Sequence, residues 1–169
     1  MRVSIACALC FIWLLFLVDE SLIHVENFKK NTLRRTLFRY LKEHNIACIV
    51  ATHDSDDALS FSDRMVVIKN NRVHAIGSPG DLFQNPPSKY VASLFDDVNE
   101  IEKEGRKTLL YPDQIKIVHH SKVKAKVLRS YYKGTHWLVE MDFEGQVIFV
   151  NHPEELPPDK EVSLEFLCD

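Results

Sequence analysis

The sequence predicts an α/β fold with a parallel sheet, followed by a small all-β unit. Two observations carry that expectation. A continuous apolar run, Phe11 to Val18, stops at the adjacent carboxylates Asp19 and Glu20, and a second short run follows at 46 to 52 after a stretch of helical period. Beyond residue 110 the apolar period changes from that of a helix to two.

Taken in order, residues 1 to 10 carry Val3, Ala6 and Cys10 at helical spacing and read as the end of a helix that leads into a strand at 12 to 18. From about Glu26 to His44 the period is helical. Leu33, Leu37 and Leu41 lie four apart with Phe38 beside them, Lys29, Lys30, Arg34, Arg35 and Lys42 fall largely off that line, and Asn45 supplies a stop. The run from Ile46 to Thr52 is rich in β-branched residues, so 12 to 52 reads as strand, crossover helix and parallel strand.

His53-Asp54-Ser55-Asp56-Asp57 suits the start of another helix, because short acceptor side chains satisfy the free N–H groups there and negative charge meets the positive end of the dipole. Met65 to Ile68 and Val73 to Ile76 flank Lys69-Asn70-Asn71-Arg72, a hairpin whose two asparagines tolerate left-handed backbone. Gly77-Ser78-Pro79 opens a short helix, Pro86-Pro87 ends it, and a further helix is predicted from 88 to 95. The polar stretch 96–110 reads as a linker between a first domain, 1–95, and a second, 111–169. In the second domain Lys122 to Val127, Trp137 to Phe143 and Val162 to Phe166 alternate. Turns at Lys133-Gly134, Glu144-Gly145 and Pro157-Pro158 make this an antiparallel sheet or barrel.

Composition narrows the function. A formal charge of −3 without a long block of like charge offers nothing to a polyanion, so nucleic acid is not an expected partner. Of the four cysteines, Cys7 and Cys10 form a single C-x-x-C pair with no second pair and no histidine at zinc-finger spacing. Reduced thiols in a cytosolic protein are the expectation. Arg2 followed by apolar residues imitates a secretory signal, but Ala6-Cys7-Ala8 precedes the main apolar run and Asp19-Glu20 makes a poor cleavage region. The run is also short of the roughly 20 apolar residues of a membrane-spanning helix, so no span is expected.

The chemistry-bearing residues are Asp19 and Glu20 at the end of one strand and His53 after the next. A phosphate-transfer site needs a carboxylate to hold Mg²⁺, a base or water-orienting group beside it, and a donor near the γ-phosphate. The plainer readings are a solvated strand end for Asp19 and Glu20 and a helix-capping loop histidine for His53.

Several segments in fixed order resemble the ATP-binding subunits of ABC transporters, of the importer type with a C-terminal TOBE-like domain. Arg2 to Leu9 is similar to the helix after the LSGGQ signature, Phe16-Leu17-Val18-Asp19-Glu20 to the Walker B strand, His24-Val25-Glu26 to the D-loop, and Ala51-Thr52-His53-Asp54 to the switch-histidine loop. Ser62 to Ile68 and Arg72 to Pro79 resemble the family's closing hairpin, and Tyr111-Pro112-Asp113-Gln114-Ile115 the entry to the TOBE-like domain. The resemblance implies a partial P-loop NTPase-type parallel sheet in 1–95 and an OB-like barrel in 111–169. It also implies ATP and Mg²⁺ as cofactors. Asp19 would bind Mg²⁺ through water, Glu20 would be the general base, His53 would contact the γ-phosphate, and Glu26 would communicate across a dimer of two such subunits.

Implied partners are a second ATP-binding subunit and transmembrane permease subunits, with the protein peripheral on the cytoplasmic face of the membrane and the solute a polyamine, iron or similar. Ser21 stands where the family commonly has proline, Cys7 where it has arginine, Trp13 where it has proline, and Glu26 where it has aspartate. No G-x-x-x-x-G-K-[ST], Q-loop or LSGGQ motif occurs in the 169 residues, so the resemblance covers the distal part of the family and the chain alone is expected to be inactive. The alternative is a non-catalytic interaction or regulatory module derived from such a subunit.

Overall fold

The computed structural model describes residues 15–18, 27–103 and 105–167. The helix end expected over 1 to 10, the first positions of the first strand, and Asp19, Glu20 and Glu26 lie outside the described residues. The chain divides into two compact units, Met1–Ser62 and Asp63–Asp169.

In the first unit β1 (Leu15–Val18) and β2 (Ala47–Val50) pair in parallel, Leu15 opposite Ala47 and Val18 opposite Val50, with α1 (Asn27–Glu43) as the crossover between them. The predicted strand, helix, strand order is therefore present, and both strands finish at the same level. Asn45 takes a left-handed φ of 51° just past α1, and the Ile46 N–H returns to the Leu41 carbonyl at 2.9 Å, which closes the helix. The buried side of α1 is rotated from the expected leucine line. Leu41 is buried and Leu37 and Phe38 are half-buried, but Leu33 is exposed and Arg34 takes the inward position instead. The Phe38 ring stacks on Phe61 of α2 (Ser55–Phe61), 4.5 Å between centroids.

The second unit begins with the hairpin β3 (Met65–Lys69) and β4 (Arg72–Gly77). Asn70 and Asn71 have φ of 52° and 58°, the backbone that a two-residue hairpin turn of the right twist demands. A bulge after Val67 displaces the register, so Val67 pairs with Ala75 and Ile68 with Val73. Ser78 caps α3 (Pro79–Gln84), its hydroxyl accepting from the Asp81 N–H at 3.1 Å, and Ser88 caps α4 (Lys89–Ala92) after Pro86-Pro87. Val67, Leu82 and Val91 form a small core there. The helix expected over 88 to 95 is thus a single regular turn.

The stretch 96–110 is not an unstructured linker but the hairpin β5 (Asn99–Lys103) and β6 (Arg106–Leu110). Its polar composition reflects a solvated face, while Ile101 and Leu110 enter the core of the sheet that follows. Asn99, almost fully buried, imitates a strand residue. Its amide donates to the Phe149 carbonyl at 2.8 Å and accepts from the Phe149 N–H at 2.7 Å.

A 3-10 turn over Pro112–Gln114 leads into β7 (Ile115–Val118), β8 (Val123–Tyr132), β9 (Trp137–Phe143), β10 (Gln146–His152) and β11 (Glu161–Phe166). These make one antiparallel sheet ordered β10-β9-β8-β11-β7. Ile115, Val127, Val139, Met141, Ile148, Val150 and Leu164 are its innermost side chains. The expected barrel is not closed, since among the described residues no strand pairing joins β10 to β7. Overall the protein is a mixed α/β, strand-rich fold.

Candidate functional site

Of the four residues singled out from the sequence, the described structure contains one. His53 is exposed, in the loop that runs from the end of β2 to α2. Asp19, Glu20 and Glu26 are outside the described residues, so no geometry relates them to it.

The loop is held on both sides of His53. The Asp54 N–H donates to Thr52 Oγ1 at 3.0 Å, tying together the two neighbours of the histidine. Asp54 then caps α2: its Oδ1 accepts from the N–H of Asp56 at 3.1 Å and of Asp57 at 3.4 Å, and its carbonyl accepts from Ala58 at 3.2 Å. The acidic sequence thus forms the predicted helix start.

A cation of α1 that lies off the expected leucine line completes this arrangement. Arg34 of α1 reaches 20 residues along the chain, its Nη1 donating to Asp57 Oδ1 at 2.7 Å and to Asp54 Oδ2 at 3.3 Å. The Arg34 side chain is 12% exposed and that of Asp57 9%, so this charge pair is largely withdrawn from water, and removing one partner would strand the other. Burial by itself pushes the Asp54 carboxyl upward, but the Asp57 N–H, the Arg34 hydrogen bond and charge, and the Asp56 N–H together hold it below the usual value. Asp54 is therefore a carboxylate throughout the neutral range.

Cys48 in β2 is a free, half-buried thiol, and burial pushes its pKa up, which keeps it a poor nucleophile. Among the described residues there is no group of three His, Cys, Asp or Glu side chains able to hold a metal ion. The described residues thus offer one imidazole beside a helix cap, and by themselves do not fit MgATP, whose phosphates require several convergent cationic and backbone donors.

No family model matches the chain. It is 27% identical over 153 residues to the sulfate/thiosulfate import ATP-binding protein CysA of Pseudomonas aeruginosa, across 87% of this chain and 46% of that protein. It is 24% identical to the spermidine/putrescine import ATP-binding protein PotA of the Aster yellows witches'-broom phytoplasma, across 98% of this chain and 46% of the relative. With PotA of Mycoplasma capricolum it shares 26% identity, across 98% and 56% respectively.

Its homologues are ATP-binding subunits of ABC importers. The resemblance carried by the short motifs therefore agrees with similarity along most of the chain. The chain spans about half the length of the curated relatives it matches. No helix among the described residues is long and apolar enough to cross a membrane.

Proposed function

We propose that this chain contributes the distal part of the ATPase of an ABC importer: the Walker B carboxylates Asp19 and Glu20, the D-loop residue Glu26, the switch histidine His53 and a TOBE-like, OB-like β domain. The observation that carries the reading is the parallel, in-register pairing of β1 with β2. Val18 and Val50 stand side by side, so β1 and β2 end together at their carboxyl ends, where open α/β sheets bind ligands; Asp19 and Glu20 follow β1 in sequence, and His53 lies in the loop after β2. The homologues supply the prior for ATP with Mg²⁺. In this reading Asp19 would hold Mg²⁺, Glu20 would accept a proton from the attacking water, and His53 would donate toward the terminal phosphate, once the phosphate-binding half is supplied. The completed subunit works as a dimer with permease subunits on the cytoplasmic face of the membrane, and its solute is an oxyanion, polyamine or similar small ion. The division into a nucleotide-binding part, 1–95, and a β domain belongs to the same proposal, with the β5–β6 hairpin counted in the β domain whose core it joins.

The phosphate cradle is not among these 169 residues, so hydrolysis needs a G-x-x-x-x-G-K-[ST] segment in addition. Two measurements test the reading. Calorimetric titration of the 169-residue chain with MgATP, run beside a phosphate-release assay, is expected to give neither micromolar binding nor turnover. Joined to a phosphate-binding half from a relative, the chain is expected to hydrolyse ATP, with Glu20→Gln lowering turnover by about 10²- to 10⁴-fold while nucleotide binding persists. Asp19→Asn is expected to weaken the metal dependence of binding. Turnover unchanged by both substitutions would refute the assignment. Nucleotide-independent binding to a partner, with no ATPase on completion, would favour the non-catalytic module.

A further inference from the structure

Arg34 has no part in the chemistry proposed for Asp19, Glu20 and His53, yet it is built into the loop that carries His53. It projects from the inward side of α1, and both of its carboxylate partners lie within four residues of His53. Asp54 is the immediate neighbour of the histidine and Asp57 the buried acid one helical turn further on. The Asp54 carboxylate is thereby shared: one oxygen caps α2 and the other meets the arginine. Thr52 closes the other side of the loop. The peptide that carries His53 is thus suspended between a helix cap and a cross-link to the crossover helix.

We infer that Arg34 is a positioning residue for His53, acting through Asp54 and Asp57, which fixes the loop from 52 to 54 relative to α1. The inference rests on the proposed role of His53, but the geometry it describes exists without nucleotide. The geometry of the contact supports it: one nitrogen of Arg34 joins two points of the segment that follows His53. Both carboxylates are met by the single nitrogen Nη1, while Nε and Nη2 are buried with no hydrogen-bond partner among the described residues. An arginine placed merely to neutralise charge would gain more by a two-pronged pairing with one carboxylate. One that bridges two points of the following segment instead sets the distance between them.

The test is solution NMR on the full 169-residue chain, reading backbone order along 52–57 and the ring correlation of His53. In the native chain the amides of 52–54 are expected to show order parameters near 0.85, and Arg34→Met is expected to lower them below about 0.6. The His53 ring signal should move toward its unstructured position, while amides of Leu37 to Leu41 and of β2 keep their order. Arg34→Lys, which can offer one ammonium nitrogen where Nη1 stands, is expected to restore most of the order. A loop unchanged in Arg34→Met overturns the inference. So does an equal loss across α1 and β2, which would mark a general packing role. Should Arg34→Met fail to fold, Asp57→Asn keeps the side-chain size and removes only the charge; loop order unaffected by it is equally fatal. None of these readings uses ATP turnover, so a failure of the switch-histidine assignment leaves them intact and is detected separately.

Discussion

Tyr111 shows how a single atom sets a pH dependence. Its ring is buried, stacked on Phe83 with 4.6 Å between centroids, and its hydroxyl has no hydrogen-bond partner among the described residues. Burial first, then the negative charges of Asp96 and Asp113, push its pKa up to about 12. The neutral form is favoured in the folded protein. The resulting stability is complete below the unfolded value near 10 and is lost as pH rises toward 12. Tyr111→Phe is expected to remove that portion of the alkaline slope in urea melts run between about pH 9 and 12. At neutral pH it should be neutral or stabilising by up to about 1–3 kcal/mol, since it deletes an unsatisfied buried group and keeps the stacked ring. Asp54 works in the opposite sense. Its folded pKa is depressed, so its contribution is complete above the unfolded value of about 3.9 and is lost as pH falls through the folded one. Asp54→Asn, which keeps a good cap, is expected to flatten the acid limb of the stability curve below about pH 4. An acid limb identical to wild type would contradict the described cap.

At the scale of elements, the β5–β6 hairpin belongs energetically to the sheet that follows it. Ile101 and Leu110 lie in the same core as Ile115, Met141 and Val150, and Asn99 occupies the hydrogen-bonding groups of Phe149 on the edge strand β10. A fragment beginning near residue 97 is therefore expected to fold more stably than one beginning at 111. Asn99→Ala leaves the part-buried N–H and carbonyl of Phe149 without their partner. It should cost about 2–6 kcal/mol in denaturant unfolding, at roughly 1–3 kcal/mol per unsatisfied group, and should speed amide exchange at Phe149. The turns behave more locally. Asn70 and Asn71, and Glu144 with Gly145, all have positive φ in two-residue connections, and the sequence announced each of them.

At the scale of the molecule, the outer side of the β3–β4 hairpin is apolar and open. Val66 faces Ile76 and Ile68 faces Val73 as cross-strand pairs, each of the four at least half exposed, while the opposite side packs on α3 and α4 through Val67. Parallel strands are ordinarily covered on both faces and flanked by neighbours, yet β1 and β2 form a two-stranded sheet among the described residues. The chain studied alone is therefore expected to self-associate. Sedimentation velocity on Ile68→Lys and Ile76→Glu should show a larger monomer fraction than the parent chain, with an unchanged circular dichroism spectrum. Equal association in parent and variants would show that this face is not the contact.

Features that depend on neighbours along the chain are legible without the fold. The helical period of α1, the left-handed stop at Asn45, the acidic cap before α2, the Asn-Asn turn and the alternation of β8, β9 and β11 all follow from interactions within a few residues, and all are present. So is the strand, helix, strand order, because a short apolar run before and after an amphipathic helix has few ways to be buried. The remainder rests on contacts between segments far apart in the chain. Polar composition concealed β5 and β6, whose inward residues are few and whose first residue, Asn99, uses its side chain to complete the edge of β10. Four residues sufficed for β7, and β10 carries a nearly continuous apolar run without the alternation that marked its neighbours. In sequence Arg34 is one of the cations lying largely off the leucine line. Its partners lie 20 and 23 residues away, and a charge becomes buried only when two elements that the sequence presents separately bring its counter-charges to it.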